Sequence, residues 1–370
     1  MHTFRALTLN VWGLPAAPDR AARIALTAEA LASAAYDVVA VQKTWLPAVR
    51  HRLMQGVAMS LPHAATYPAR VPGTGLLILS RWPIREARFT PYLLNGDPLT
   101  WDYYAPKGLA FARLAAPFGP LDVYTTHTIA QHSNIPGIDY YHPHRVAQMV
   151  QTAWLLNERS AGVPALALGD FNVMPGTLGH RALLTLSGAG EAFADLHPAD
   201  TGFTYSADNP YKLRTYTRRL DYVVYRSGPL LDLTPTAAEL AFQRTPPGSP
   251  APAYSDHYGV AAEFATAPAD RLSAPLPALV DPVVQSILRE VRTVLSAGDA
   301  ASRSRQLRRA VLAAASLAGA IALSGRGHPR RAASLPALLA LAGTSALLAS
   351  RAERRAYRTL LAKTEELIHE

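Results

Sequence analysis

The chain has 370 residues, of which 49% are hydrophobic and 17% charged; that is ample for a core and rules out disordered, collagen-like and low-complexity readings. It contains no Cys, which excludes a disulfide framework, Cys-ligated zinc, iron–sulfur clusters and a thiol nucleophile. Of the net charge of +9, about +8 lies in residues 301–370, where twelve Arg and Lys face four Glu, so the N-terminal 300 residues are nearly neutral and no nucleic-acid partner is expected.

In chain order, residues 2–10 show rough alternation at Phe4, Ala6-Leu7 and Leu9 and read as an edge-to-core strand. They lack the continuous apolar region of a signal peptide. Strand-like runs follow at 38–41, 75–79, 109–114, 121–125, 164–168, 220–225 and 259–264, with helical stretches at 21–34 and 145–156 between them. No repeat of 20–50 residues is present. The pattern predicts a layered α/β (α+β) protein built on sheets.

A boundary is expected near residue 267, where Pro268, Pro275, Pro277 and Pro282 crowd together. The expected units are 1–267, a linker with an amphipathic helix at 268–300, and a tail at 301–370. Asp281-Pro282 has the form of an N-cap and first helical residue. Val284, Ile287, Leu288, Val291 and Leu295 give the predicted helix 283–296 one apolar face, with Gly298 beyond its end. Farther on, 310–325 and 332–350 are 16 and 19 residues without a charge. At 1.5 Å per residue they reach about 24 and 28 Å, against a hydrocarbon core of about 30 Å. A helical membrane hairpin is predicted, with the basic flanks and the large N-terminal part on the cytoplasmic side. The alternative is an Ala-rich hairpin docked on the main domain.

The chemistry-bearing residues follow or interrupt apolar strands: Asn10-Val11-Trp12-Gly13-Leu14-Pro15, His127, Gly169-Asp170-Phe171-Asn172, Leu220-Asp221-Tyr222 and Ser255-Asp256-His257. Such groups converge at one rim of a sheet sandwich. Asp221 inside an apolar run needs a partner, since a buried carboxylate is costly alone. Singly, a His after a strand or an Asp-Phe-Asn turn is weak evidence.

Together and in this order the segments resemble the endonuclease/exonuclease/phosphatase superfamily of metal-dependent phosphodiesterases. Leu9–Pro15, Leu94-Asn95-Gly96-Asp97 with Lys107-Gly108, and Thr126-His127 with His144–Gln148 are similar to its membrane-bound neutral sphingomyelinases. The resemblance implies a two-layer β-sandwich flanked by helices, of DNase-I-like type, and Mg²⁺-dependent hydrolysis of sphingomyelin to ceramide and phosphocholine. A choline lysophospholipid is the nearest rival substrate. By the same resemblance His257 is the general base, held by Asp221; Asp170 and Asn172 position water and phosphoryl oxygens; His127 donates to the phosphoryl group. Asn10 and Asp256 are hard oxygen ligands suited to Mg²⁺. Lys107 would meet the phosphate, and Trp12 and Tyr104, among other aromatics, would offer faces to the quaternary ammonium. The expected partners are membrane phospholipid and the bilayer.

One position departs from that pattern. Where the family carries its metal-binding Glu, this chain has Lys43, and a charged ammonium has no lone pair for a metal. The site is then impaired, or Lys43 replaces part of the metal's charge, or metal binds weakly through the remaining ligands. A lipid-binding pseudoenzyme is the rival from another class.

Overall fold

A computed structural model describes residues 2–69, 73–97, 101–131, 139–212, 216–269, 278–325 and 330–369; side chains of 101–102, 320–325, 330–343 and 346 lie outside the description. Twelve strands are present among the described residues: β1 (His2–Asn10), β2 (Val38–Gln42), β3 (His63–Thr66), β4 (Leu77–Ser80), β5 (Ile84–Pro91), β6 (Gly108–Ala116), β7 (Gly119–His127), β8 (Ala165–Asp170), β9 (Gly190–Glu191), β10 (Asp221–Arg226), β11 (Leu231–Ala241) and β12 (Gly259–Pro268). The helices are α1 (Arg20–Ser33), α2 (Pro47–Gly56), α3 (Trp101–Tyr104), α4 (His142–Arg159), α5 (Leu178–Ser187), α6 (Ala192–Leu196), α7 (Pro282–Gly325) and α8 (Arg330–His369).

The strands form two six-stranded sheets, ordered β11-β12-β1-β2-β4-β3 and β5-β6-β7-β8-β10-β9. Each holds one parallel pair, β1 with β2 and β7 with β8, joined across α1 and α4 respectively, as a parallel connection requires. The apolar runs are continuous because both faces of these strands are covered. In β2, Val38 and Ala40 face the opposing sheet, while Val39 and Val41 pack beneath α1 and α2 with Ile24, Leu31 and Leu53. In β8, Leu166 and Leu168 enter the inter-sheet core, while Ala165 and Ala167 face α4 and α5.

The register of this sandwich builds the site. His127 is paired across the ladder with Asp170, and Asp170 with Asp221. At the same end of the other sheet, Asn10 is paired with Gln42. The sequence reading located these strands; β1, however, lies inside its sheet rather than near an edge, flanked by β12 and β2. β11, which the reading did not find, is an edge strand interrupted by Pro235, with a bulge between Pro235 and Ala237; proline is tolerated there because an edge leaves its missing N–H unneeded.

At the C-terminal end, Asp281 caps α7 through its Oδ1, which accepts from the Val283 N–H at 2.7 Å. Val284, Ile287, Leu288, Val291 and Leu295 are all buried against α4, α5 and α8. The helix does not end at residue 296 but runs through Gly298 to Gly325. At Gly298 the missing side chain admits the Tyr357 ring of α8, which a Cβ would meet at 2.6 Å. Further polar contacts fasten the pair to the sandwich. Arg181 bonds Glu290 at 2.6 Å, His144 Nε2 lies 3.2 Å from Glu353, and Arg309 pairs with Asp97.

The expected spans 310–325 and 332–350 thus fall within α7 and α8. Most side chains of the second lie outside the description, and among the described residues no helix is long and apolar enough to cross a membrane. The exposed stretch of α7 carries Leu307, Val311, Leu312 and Leu317 beside Arg303 and Arg308.

The contact at Gly298 yields a stability test. Gly298→Val forces the Tyr357 ring aside, and overpacking of this kind costs about 1–3 kcal/mol. Urea unfolding should show the loss, with Gly298→Ala intermediate.

Candidate active site

Asn10, at the end of β1, is fully buried. Its Nδ2 donates to Asp170 Oδ2 at 2.9 Å, joining the two sheets at the rim, and its Oδ1 accepts from Trp12 N–H at 3.1 Å. Asp170 Oδ1 accepts from the Asn172 N–H at 3.2 Å, and Asn172 Nδ2 donates to the Thr128 carbonyl at 3.2 Å. Asn172 takes a left-handed conformation, φ 50°, which Asn tolerates better than most residues. Both expected histidines turn their Nε2 toward Asp170 Oδ2, His127 at 3.7 Å and His257 at 3.9 Å. His257 Nδ1 is 2.8 Å from Asp221 Oδ2, and the Tyr205 ring stands edge-on to the imidazole with centroids 5.3 Å apart. Asp256 is buried, and its Oδ1 accepts from the Ser255 hydroxyl at 3.2 Å.

Burial, with Asp221 beside it, pushes the Asp170 carboxyl up to about 6, against the opposite pull of His257, Lys43 and the Asn10 amide. For His257 burial works against the charged ring, yet Asp221, Asp170 and Asp256 outweigh it and hold the imidazolium up to about 9. The free ring titrates near 6.5. This pairing therefore stabilises the fold fully below that value, and the contribution is lost as pH rises toward about 9. His257 is thereby held as a cation near neutral pH.

Asp170, Asp221 and His257 offer ligand atoms within 4.8 Å of one another, a grouping that can hold a metal ion. The donor set fits a hard cation in one further respect: Asp221 Oδ1 is buried with no hydrogen-bond partner. The expected ligands fit less well. Lys43 has φ 61°, and its carbonyl accepts from Gly13 N–H at 3.1 Å. Its ammonium acts on Asp170 as a cation would and cannot ligate. Asn10 uses its amide on Asp170 and Trp12, as above.

Of the expected lipid contacts, Lys107 reaches the site, where its Nζ lies 3.2 Å from His127 Nδ1. Trp12 does not present a face to a ligand: it is 5% exposed, with the Arg23 guanidinium over its ring at 5.0 Å and Tyr211 beside it. A quaternary ammonium would have to displace a buried arginine. Tyr104 is 56% exposed, on α3, with its ring against Tyr103.

Arg23 was not foreseen. Fully buried, it donates to the carbonyls of Val11, Trp12, Pro18 and Tyr254 at 2.9–3.1 Å, fixing the loop after β1 against the loop before Asp256. The available signal was a charge inside the apolar stripe of α1, next to Ile24 and in line with Thr27. Gln42 is likewise buried, donating to Thr8 and Thr125 hydroxyls at 3.0 Å and so bridging the sheets.

The sandwich and this rim define a phosphoesterase fold class. The chain belongs to the endonuclease/exonuclease/phosphatase family, whose model matches residues 7–257. It is 30% identical over 271 residues to a Drosophila melanogaster protein named "Putative neutral sphingomyelinase", covering 70% of this chain and 60% of that one. It is 30% identical over 204 residues to the inositol phosphosphingolipids phospholipase C of Schizosaccharomyces pombe, covering 52% and 47%. The chain thus spans about half to three fifths of these relatives. Among solved structures, humanized Danio rerio TDP2 superposes with a TM-score of 0.58 at 18% identity, over 71% of this chain and 99% of that one.

The electrostatic account is checked by Asp221→Asn. Removing the first of the carboxylates that raise His257 lets burial count for more, so the ring's pKa should fall from about 9 by roughly one to three units. Histidine NMR titration measures it; an unchanged value would assign the shift to another cause.

Proposed function

We propose that the chain hydrolyses the phosphodiester of a sphingolipid in phospholipase-C fashion, with sphingomyelin as the substrate that yields ceramide and phosphocholine. The observation that carries the reading is the buried Asp221–His257 pair at 2.8 Å, with His257 Nε2 aimed at Asp170 across the rim. The names of the relatives supply the lipid class.

Asp221 holds Nδ1–H of His257, which leaves Nε2 as the lone pair once the ring is neutral. From there it takes the proton of the attacking water. As the water oxygen bonds to phosphorus, the bond to the ceramide oxygen breaks. His127 and Asn172 donate toward the oxygens on which charge develops. Asp170, linked to Asn10, orients the reacting groups. Asp170 and Asp221, flanked by Asp256, would hold Mg²⁺, which when bound neutralises phosphoryl charge. Lys43 adds a fixed positive charge beside Asp170, which weakens divalent binding at this rim.

The exposed apolar residues of α7 and the arginines around them, with Arg351, Arg355 and Arg358 on α8, would attach the enzyme to its substrate's bilayer. Apolar insertion and attraction to anionic lipid reinforce each other in such helices. This attachment is to the membrane surface; the crossing hairpin expected from the sequence has no spanning helix behind it among the described residues.

Phosphocholine release from sphingomyelin vesicles tests the reaction. His257→Ala should lose about 10²–10⁴-fold in kcat, the usual contribution of a general base; a loss below tenfold would remove His257 from that role. In metal-free protein, histidine NMR should show the His257 ring giving up its proton as pH climbs toward about 9, and a ring already neutral at pH 7 would contradict that shift. Lys43→Glu should tighten Mg²⁺ dependence, and equal Mg²⁺ response in both proteins would contradict the charge argument. For attachment, co-sedimentation with anionic vesicles should fall when Val311, Leu312 and Leu317 are changed together to Ser, and unaltered binding would exclude this surface.

A further inference from the structure

We propose that Lys107 is the positioning residue that fixes the proton of His127 on Nε2, so that the two active-site histidines stand as opposite tautomers. Lys107 is 2% exposed and His127 6%. Their contact, Nζ to Nδ1 at 3.2 Å, places an ammonium against a ring nitrogen. An ammonium carries three donors and no acceptor, so Nδ1 must offer its lone pair. In a neutral imidazole the proton then sits on Nε2. That atom stands on the rim, 3.7 Å from Asp170 Oδ2, the side on which the phosphodiesterase reading puts the phosphoryl group. His257 is arranged the other way: its Nδ1 faces the Asp221 carboxylate, so its neutral ring presents a bare Nε2. One ring donates and the other accepts, both across Asp170.

The backbone around Lys107 is built to hold this contact. Its N–H donates to Asn95 Oδ1 at 3.0 Å, and its carbonyl accepts from Tyr92 N–H at 3.0 Å. The next residue, Gly108, admits no side chain, because a Cβ would lie 2.4 Å from the Thr90 carbonyl and from the Phe89 ring. The start of β6 is thereby clamped to β5, and the lysine stem leaves from a fixed point. On the far side of the imidazole the Trp45 ring stands 5.8 Å away at 59°. The lysine expected to meet the phosphate directly thus acts through His127.

What the Nε2–H meets rests on the phosphodiesterase reading; the tautomer does not. Nitrogen NMR of histidine-labelled protein decides the point, with the His127 signals identified by their loss in His127→Gln. The expected result in the parent is a bare Nδ1 and a protonated Nε2 for His127. A protonated Nδ1 in the parent overturns the proposal without recourse to any variant. In Lys107→Met, which keeps the stem's shape and removes the donor, protonated Nδ1 should appear and kcat should fall about 10²-fold with KM within about twofold. The same tautomer and the same kcat in Lys107→Met would show that Lys107 does not set it. A bare Nδ1 in a parent that releases no phosphocholine would sink the functional reading and leave the tautomer assignment standing.

Discussion

Three carboxylates, Asp170, Asp221 and Asp256, converge in a rim that water scarcely reaches, and the rest of the site follows from what offsets their charge. A buried carboxylate alone is costly enough that it takes up a proton instead. Here His257 rises to about 9 and becomes a cation, Asp170 rises to about 6, and positive charge is added by Lys43 in the loop after β2 and by Arg23 on α1. The site is therefore nearly balanced by the protein's own groups. Lys43 takes part in that balance as a tethered positive charge acting on Asp170.

The sandwich makes this convergence possible by register. His127, Asp170 and Asp221 are neighbours across three strands of one sheet, and Asn10 reaches them from the other sheet through one hydrogen bond. A one-residue slip in β8 would send Asp170 to the opposite face. The apolar runs that fill the strands between the two cores prevent that slip, so the packing of Leu166 and Leu168 fixes the chemistry at Asp170.

Much of this was legible in the sequence because the strands are short apolar runs, each with its polar residue at the end. Eight strands and the helices α1 and α4 could be found that way. The edge strand β11 could not, since Leu231–Ala241 carries Pro235 and is largely solvated, which blurs the period-2 pattern. The onset of α7 was readable from Asp281-Pro282, but its end was not: Gly298 serves as a gap for Tyr357, a contact between residues 59 apart in the chain. Asn10, His127, Asp170, Asn172, Asp221, Asp256 and His257 all reach the rim as expected. Trp12 was misread because its cover, Arg23, comes from the helix that follows its loop, and the contact of Lys107 with His127 could not be read because the two residues lie 20 apart in the chain. Arg23 shows the same limit: its four carbonyl partners sit in two loops far apart in the chain, the one after β1 and the one before Asp256.

The central claim is that water attacks phosphorus and the ceramide oxygen leaves. Hydrolysis of sphingomyelin in ¹⁸O-labelled water tests it most directly. The account predicts one labelled oxygen in the released phosphocholine and none in the ceramide; label in the ceramide, or release of choline in place of phosphocholine, would contradict it.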